Sequence, residues 1–440
     1  MHYDRHTSIQ FPPAFNAGPR RPLVFYDRPM GTGKTTAMLN GFDPRTKYLV
    51  VHDTLDQCDS VLANPSGVEF HQPSNTSGSK ANDLVRLVRL GKNIATTHAL
   101  YPSLVEVARD GYLRDYVIII DEVLDPVKRM PAPQEGVWDA LVAAGYVYVD
   151  QNTGKVIPTA RWAENLQRVD GTLTQGLLEA ATAGLLYITE KREMFVLPIP
   201  VELVNSGNSV TIATYRARGS TLAAYLDKMG IPYVIDRDIS LDRKLRADVR
   251  RWVTVKDIPS LREVRFSKSG QDKMASSDCR KVQVALKNVR QRQLRNTPTD
   301  QILVGCAKDS WYHTNGRKTY EDRTGKFSKG TGLFTEANWA PARVRGTNEF
   351  RECSVVFSLY DYHISPPVLE WLGKEDDKQF KDEYALSELL QFVFRSRIRC
   401  RETLADPSIT LYIPSERMRS LFLDWANDGV PPEAALRVTR

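Results

Sequence analysis

Short apolar runs recur through the first half of the chain, at Leu23-Val24-Phe25-Tyr26, Tyr48-Leu49-Val50-Val51, Asn93-Ile94-Ala95, Val117-Ile118-Ile119-Ile120 and Val210-Thr211-Ile212-Ala213-Thr214. Continuous runs, unlike strictly alternating ones, predict strands covered on both faces. The intervals have helical character, as over residues 35–40 and at the spaced positions Leu222, Tyr225, Leu226 and Met229. Strands alternating with helices imply an α/β fold with a parallel sheet, which places its polar chemistry at the carboxyl ends of the strands. The second half repeats the pattern. Val282, Ala285, Leu286 and Val289 predict a helix, residues 301–306, 354–361 and 409–413 predict strands, and a helix over 416–425 follows. Between Asp121-Glu122 and Thr211 lies a longer interval. It carries a predicted helix at 136–144 and two predicted hairpins, at 146–157 turning on Asn152-Thr153-Gly154 and at 185–197 turning on Glu190-Lys191-Arg192.

Two polar segments end apolar runs and carry candidate chemistry. After the first comes Arg28-Pro29-Met30-Gly31-Thr32-Gly33-Lys34-Thr35-Thr36. Glycines there let backbone N–H groups close around a phosphate. Lys34 reaches the β- and γ-phosphates, Thr35 offers its hydroxyl to Mg²⁺, and a helix begins at the anion. The predicted nucleotide site is therefore Pro29, Met30, Gly31, Thr32, Gly33, Lys34, Thr35 and Thr36, with ATP and Mg²⁺ as cofactors. Arg28 stands where the eight-residue signature usually has its first glycine. The second segment, Asp121-Glu122, ends the strand at 116–120. Asp121 is expected to hold Mg²⁺ with Thr35, and Glu122 to orient and deprotonate the attacking water.

Composition narrows the setting. The 440 residues allow two or three domains. Sixty basic residues against 53 acidic ones leave a net charge of +7, in keeping with an acidic partner such as nucleic acid. The five cysteines are scattered, odd in number and without a Cys-x-x-Cys pair, which argues against zinc sites and a disulfide framework and for a reducing cytoplasm. No apolar run approaches a membrane span, and no secretory leader is expected.

In order and kind these segments resemble superfamily 2 helicases and translocases, where the looser phosphate loop is common. The family's later segments are matched by Asp53-Thr54-Leu55 with Gln57, by Thr96-Thr97-His98, by Asp121-Glu122-Val123-Leu124, by Thr211-Ile212-Ala213-Thr214, and by Arg345-Gly346-Thr347-Asn348. The last match, Gln391-Phe392-Val393-Phe394-Arg395-Ser396-Arg397-Ile398-Arg399, departs twice from the pattern. Phe394 replaces a glycine and the final arginine comes one position late. The spelling of the phosphate loop is similar to that of viral origin-binding helicases, and the compact size suggests a phage or plasmid replication protein.

The resemblance implies two tandem RecA-like domains with ATP in the cleft between them. The first would span 1–215, with an inserted subdomain at about 126–208. A connector would follow at 216–244, and the second domain would span 245–440. It implies catalytic roles for Lys34, Glu122, Gln391, Arg395 and Arg399; if residues 391–399 are helical, Arg399 lies one turn beyond Arg395 on the same face, and Arg397 points away from both and is dispensable for chemistry. It implies nucleic-acid contacts from Thr54, Thr96, Thr97, His98, Arg345, Gly346, Thr347 and Asn348, and coupling through Thr211 and Thr214. The partner would be single-stranded or forked DNA more than RNA, with replication proteins possible and no membrane. Two other readings share the phosphate loop: a viral DNA-packaging motor, and a nucleotide-switched recruitment protein without unwinding activity.

Overall fold

The computed structural model describes residues 22–439, apart from 131–135, 165–170, 190, 192, 198, 316–317, 320–323, 332–335 and 342–348. Two six-stranded parallel sheets organise it. The first contains β1 (Leu23–Asp27), β2 (Lys47–His52), β3 (Ile94–Thr97), β4 (Tyr116–Asp121), β5 (Ser209–Thr214) and β6 (Tyr233–Arg237), in the order β6-β1-β5-β4-β2-β3. The second contains β7 (Val253–Lys256), β8 (Ile302–Gly305), β9 (Asn338–Ala340), β10 (Val355–Ser358), β11 (Ile409–Tyr412) and β12 (Val438–Thr439), in the order β9-β8-β10-β11-β7-β12. Every pairing within the two sheets is parallel. The α/β expectation is therefore met twice.

The stretch expected to be a connector is part of the first sheet. After β5 the chain forms helix α3 (Thr221–Lys228) and returns as β6, which pairs with β1 along its whole length. β6 is an edge strand with Val234 exposed, so it lacks the continuous apolar signal of the central strands. The true link is α4 (Ile239–Trp252), capped by the Asp238 carboxylate on the Ser240 and Leu241 amides and running directly into β7.

The interval after β4 has a core of its own, made by Trp138, Leu141, Val147, Val156, Trp162, Leu177, Leu186 and Met194. Its hairpins pair Val147–Val149 with Val156–Pro158 and Leu186–Ile188 with Met194–Val196, and Lys128–Met130 adds a third strand to the second hairpin.

One large apolar cluster joins the sheets, running from Phe25 and Ile120 through Leu389 and Phe392 to Leu303, Val356 and Leu411. Leu389 and Phe392 lie on α5 (Lys378–Val393), a helix of the second half. The interval after β4 reaches the second half as well. Trp371 packs against Tyr187 and Phe195 of that interval and stacks on Tyr225 of α3, while the Lys228 ammonium lies 4.9 Å from its ring centroid. Lys191 pairs with Glu370 at 3.0 Å. Trp371→Ala is expected to cost about 3–5 kcal/mol of unfolding free energy, the range for a buried aromatic truncated in a packed site. Denaturant titration measures this, and an unchanged midpoint would show that the three-way contact does not support the fold.

Candidate nucleotide-binding cleft

The loop after β1 has the backbone a phosphate cradle needs. Gly31 and Gly33 lie in the left-handed region, with φ of 76° and 78°. A Cβ on Gly33 would meet nothing within 4 Å, so the concavity there is open. Pro29 and Met30 are buried and anchor the loop, and the Thr32 hydroxyl braces it on the Pro29 carbonyl at 2.9 Å. Lys34, the first residue of α1 (Lys34–Asn40), folds back so that Nζ donates to the Arg28 and Pro29 carbonyls at 2.8 and 3.3 Å. Burial draws this ammonium down from its ordinary pKa, opposed by Glu122, Asp121 and Asp27 nearby. Thr35 is half-buried and Thr36 exposed.

Asp121 and Glu122 sit at the end of β4, with β5 between them and the loop. Asp121 is buried, with Oδ2 3.3 Å from His52 Nδ1 and 3.5 Å from Gln57 Nε2. Burial pushes its carboxyl up, but His52, Lys34 and His98 outweigh burial and hold it below the usual carboxylate range. Glu122 takes φ +68°, a left-handed conformation that a non-glycine residue adopts at a cost, and its amide donates to the Ala213 carbonyl at 2.9 Å. Thr211 and Thr214 are both buried in β5. Thr214 meets the loop through its backbone, its carbonyl accepting the Arg28 amide at 2.9 Å.

The arginine segment faces this site from the second half, with a backbone different from the one expected. The expectation that Arg395 and Arg399 share a helical face fails, because α5 ends at Val393 and Ser396 is extended before the short turn Arg397–Cys400. Arg395 is buried all the same. Burial lowers its guanidinium pKa, while Glu122 counters that shift and the Arg399 charge adds to it. Arg399 also bears on Lys34. Gln391 is buried, and its Oε1 has no hydrogen-bond partner among the described residues. Arg397 instead donates to the Glu352 carbonyl at 3.1 Å. Lys34, Asp121, Glu122, Arg395 and Arg399 thus come into one electrostatic neighbourhood.

The expected nucleic-acid contacts divide. Thr54 caps α2 (Leu55–Leu62) in a capping box with Gln57. Thr96 is buried in β3, and Thr97 beside it is half-exposed. His98 lies against the end of β4. Its Nε2 donates to the Asp121 carbonyl at 2.9 Å, and Nδ1 lies 3.7 Å from Asp53. Arg345, Gly346, Thr347 and Asn348 lie outside the described residues.

Sequence reasoning missed Asp27, His52, Arg216 and Arg401. The buried Asp27 carboxylate accepts the Arg216 amide at 2.7 Å and the Ala217 amide at 3.3 Å, so it ties β1 to the turn after β5. The Arg216 side chain pairs with Glu383 on α5. Arg401 packs on the phosphate loop from the second half. An aspartate closing the run before a phosphate loop was the one available signal among them.

Comparisons with known proteins agree with this architecture. Residues 247–426 match a family described as the YonV C-terminal Rossmann-like domain. The chain is 25% identical over 420 residues to the SPbeta prophage-derived uncharacterized protein YonV of Bacillus subtilis strain 168, covering 91% of this chain and 97% of that protein. An apo structure of XPD superposes with a TM-score of 0.51 at 12% identity, over 92% of this chain and 95% of that one. Xpd4 of S. tokodaii superposes with a TM-score of 0.47 at 13% identity, over 94% and 95%. The likeness to XPD shows the fold: two tandem RecA-like α/β domains.

The left-handed Glu122 supplies a test of the site's strain. Glu122→Gly should raise unfolding free energy by about 1 kcal/mol, because glycine adopts this backbone without the Cβ clash. Glu122→Gln keeps the Cβ and should leave stability unchanged. Equal denaturant midpoints for Glu122→Gly and the parent would mean that the turn is not strained.

Proposed function

We propose that the protein is an ATP-dependent superfamily 2 helicase or translocase that acts on nucleic acid. The observation that carries this reading is that the turn of the second RecA-like domain holding Arg399 and Arg401 packs on Gly31 of the phosphate loop, which brings the charges of Arg395 and Arg399 near Lys34, Asp121 and Glu122. A cation brought across a cleft to a phosphate loop makes hydrolysis depend on the relation between two domains, which is what a motor requires.

The residues fit a nucleotide. The cradle at Gly33 is open, Lys34 lies at its base, and the carboxylate of Asp121 is kept ionised. ATP with Mg²⁺, when bound, supplies the phosphoryl group transferred to water. Lys34 would leave its loop carbonyls to compensate phosphate charge, and Thr35 with Asp121 would hold the metal. Glu122 would accept the proton of the attacking water, aimed by its left-handed turn. Gln391, Arg395 and Arg399 would complete the site from the second domain. Thr54 and Thr97 would contact the nucleic acid, and Arg345, Gly346, Thr347 and Asn348 remain its contacts on the sequence resemblance alone. The likeness to a prophage-derived protein supports a phage or plasmid setting, and with it DNA as the substrate.

ATP turnover should rise with single-stranded DNA and fall with added salt as phosphate contacts are screened. Lys34→Ala should remove turnover. Glu122→Gln should retain nucleotide binding and slow hydrolysis by roughly 10²–10⁴-fold, the contribution of a positioned base. Steady-state ATPase assays over a panel of DNA and RNA strands check this, and a rate indifferent to all of them would overturn the motor reading.

A further inference from the structure

Arg401 lies two residues beyond the helicase-like arginine segment and has no assigned role. Its side chain is only 3% exposed, and Nε pairs with Asp248 Oδ2 at 3.1 Å. The guanidinium carbon lies 5.6 Å from the Phe394 ring centroid. Nη1 is buried and has no hydrogen-bond partner among the described residues. That nitrogen points at the tip of the phosphate loop. A Cβ placed on Gly31 would lie 2.9 Å from Arg401 Nη1 and 3.1 Å from the Arg399 carbonyl oxygen. Gly31 is thus required twice, for its positive φ and because the second domain occupies the space beside it.

A buried guanidinium with one arm on a carboxylate and the other unsatisfied is costly, and such groups in a folded protein call for an acceptor supplied from elsewhere. The acceptor must be anionic, small enough to enter beside Gly31, and able to meet a planar N–H donor, which describes a phosphate oxygen. We propose that Arg401 is a phosphate ligand: Nη1 takes an oxygen of the nucleotide's polyphosphate held by the loop, and Asp248 is its positioning residue. The proposal rests on the nucleotide reading of the loop. Asp248 lies on α4, the helix that joins the two sheets, so this ligand ties the bound anion to the link between the domains.

Calorimetric titration of the full chain with ADP and with a non-hydrolysable ATP analogue, both with Mg²⁺, tests it. Arg401→Ala should weaken binding by about ten- to a hundredfold, the worth of a charged hydrogen bond. Arg401→Lys should recover part of the loss, and Asp248→Ala should produce a smaller loss by freeing the guanidinium. Circular dichroism and thermal melts of each variant distinguish lost binding from lost folding, with Arg401→Lys standing in if Arg401→Ala does not fold. Wild-type affinity in Arg401→Ala, with binding lost in Lys34→Ala, would overturn the Arg401 assignment while leaving the nucleotide site intact. Tighter binding in Arg401→Ala would overturn it too, by making the side chain an obstruction. Failure of the wild-type chain to bind either nucleotide would overturn the nucleotide reading itself.

Discussion

The carboxyl end of β5 holds the candidate site together. Its last two carbonyls accept one amide from each catalytic turn: Ala213 takes the Glu122 amide and Thr214 takes the Arg28 amide, both at 2.9 Å. β5 lies between β1 and β4, so the loop and the Asp-Glu pair stand two strand spacings apart, roughly 10 Å. That gap is wide enough for a phosphate group between them and narrow enough for Lys34 and Glu122 to feel each other's charge. Just past β5, the Arg216 amide returns the contact by donating to Asp27. The strand thus works through its backbone as a clasp on both turns, and the side chains of Thr211 and Thr214 are buried within it.

From this clasp the structure reaches the second domain. Arg216 is itself left-handed, with φ 60°, held so by the Asp27 carboxylate, and its guanidinium meets Glu383 on α5. Ser387, one turn further along α5, donates to the Tyr215 carbonyl at 3.3 Å. The same helix then carries Gln391 and leads to Arg395. The turn after β5 therefore touches the phosphate-loop strand on one side and the base of the arginine segment on the other. Buried apolar packing runs alongside, so the domains meet through a continuous core and a small set of charges, and the electrostatic part is the one a bound anion would alter.

The legible parts of this arrangement were those written in local runs. Phe25, Leu49 and Ile118 announce central strands because both faces of a parallel sheet are covered, and the loop and Asp-Glu pair follow at the strand ends where such sheets keep their chemistry. β6 and β9 were not legible. They are edge strands of three to five residues, and Val234, Asp236 and Arg237 in β6 meet solvent. Asp27 apart, which closes the run before the loop, the site residues missed share one physical cause: none follows from its neighbours in sequence. His52 matters because parallel pairing sets it beside Asp121, and Arg401 because a turn of the second domain lands on Gly31. Arg399 shows the converse. A helical spacing argument placed it near Arg395 through a helix that stops at Val393, yet a turn delivers its charge to the same cleft.

The interval between β4 and β5 acquires a mechanical meaning from the same clasp. It leaves the sheet directly after Glu122, through the buried Val123 and Leu124, and returns through the helix Val201–Val204 into β5. One covalent end is therefore the turn that carries Glu122, and the other enters the amino end of β5, whose far end holds that turn through the Ala213 carbonyl. Its far side is held by the second domain, with Trp371 between Tyr187 and Phe195 and with Lys191 on Glu370. The second domain is connected to the neighbourhood of Glu122 by two sets of contacts, through Arg216 and α5 on one side and through this interval on the other. Because Glu122 occupies a strained backbone conformation, small changes at either end shift how well that conformation is held.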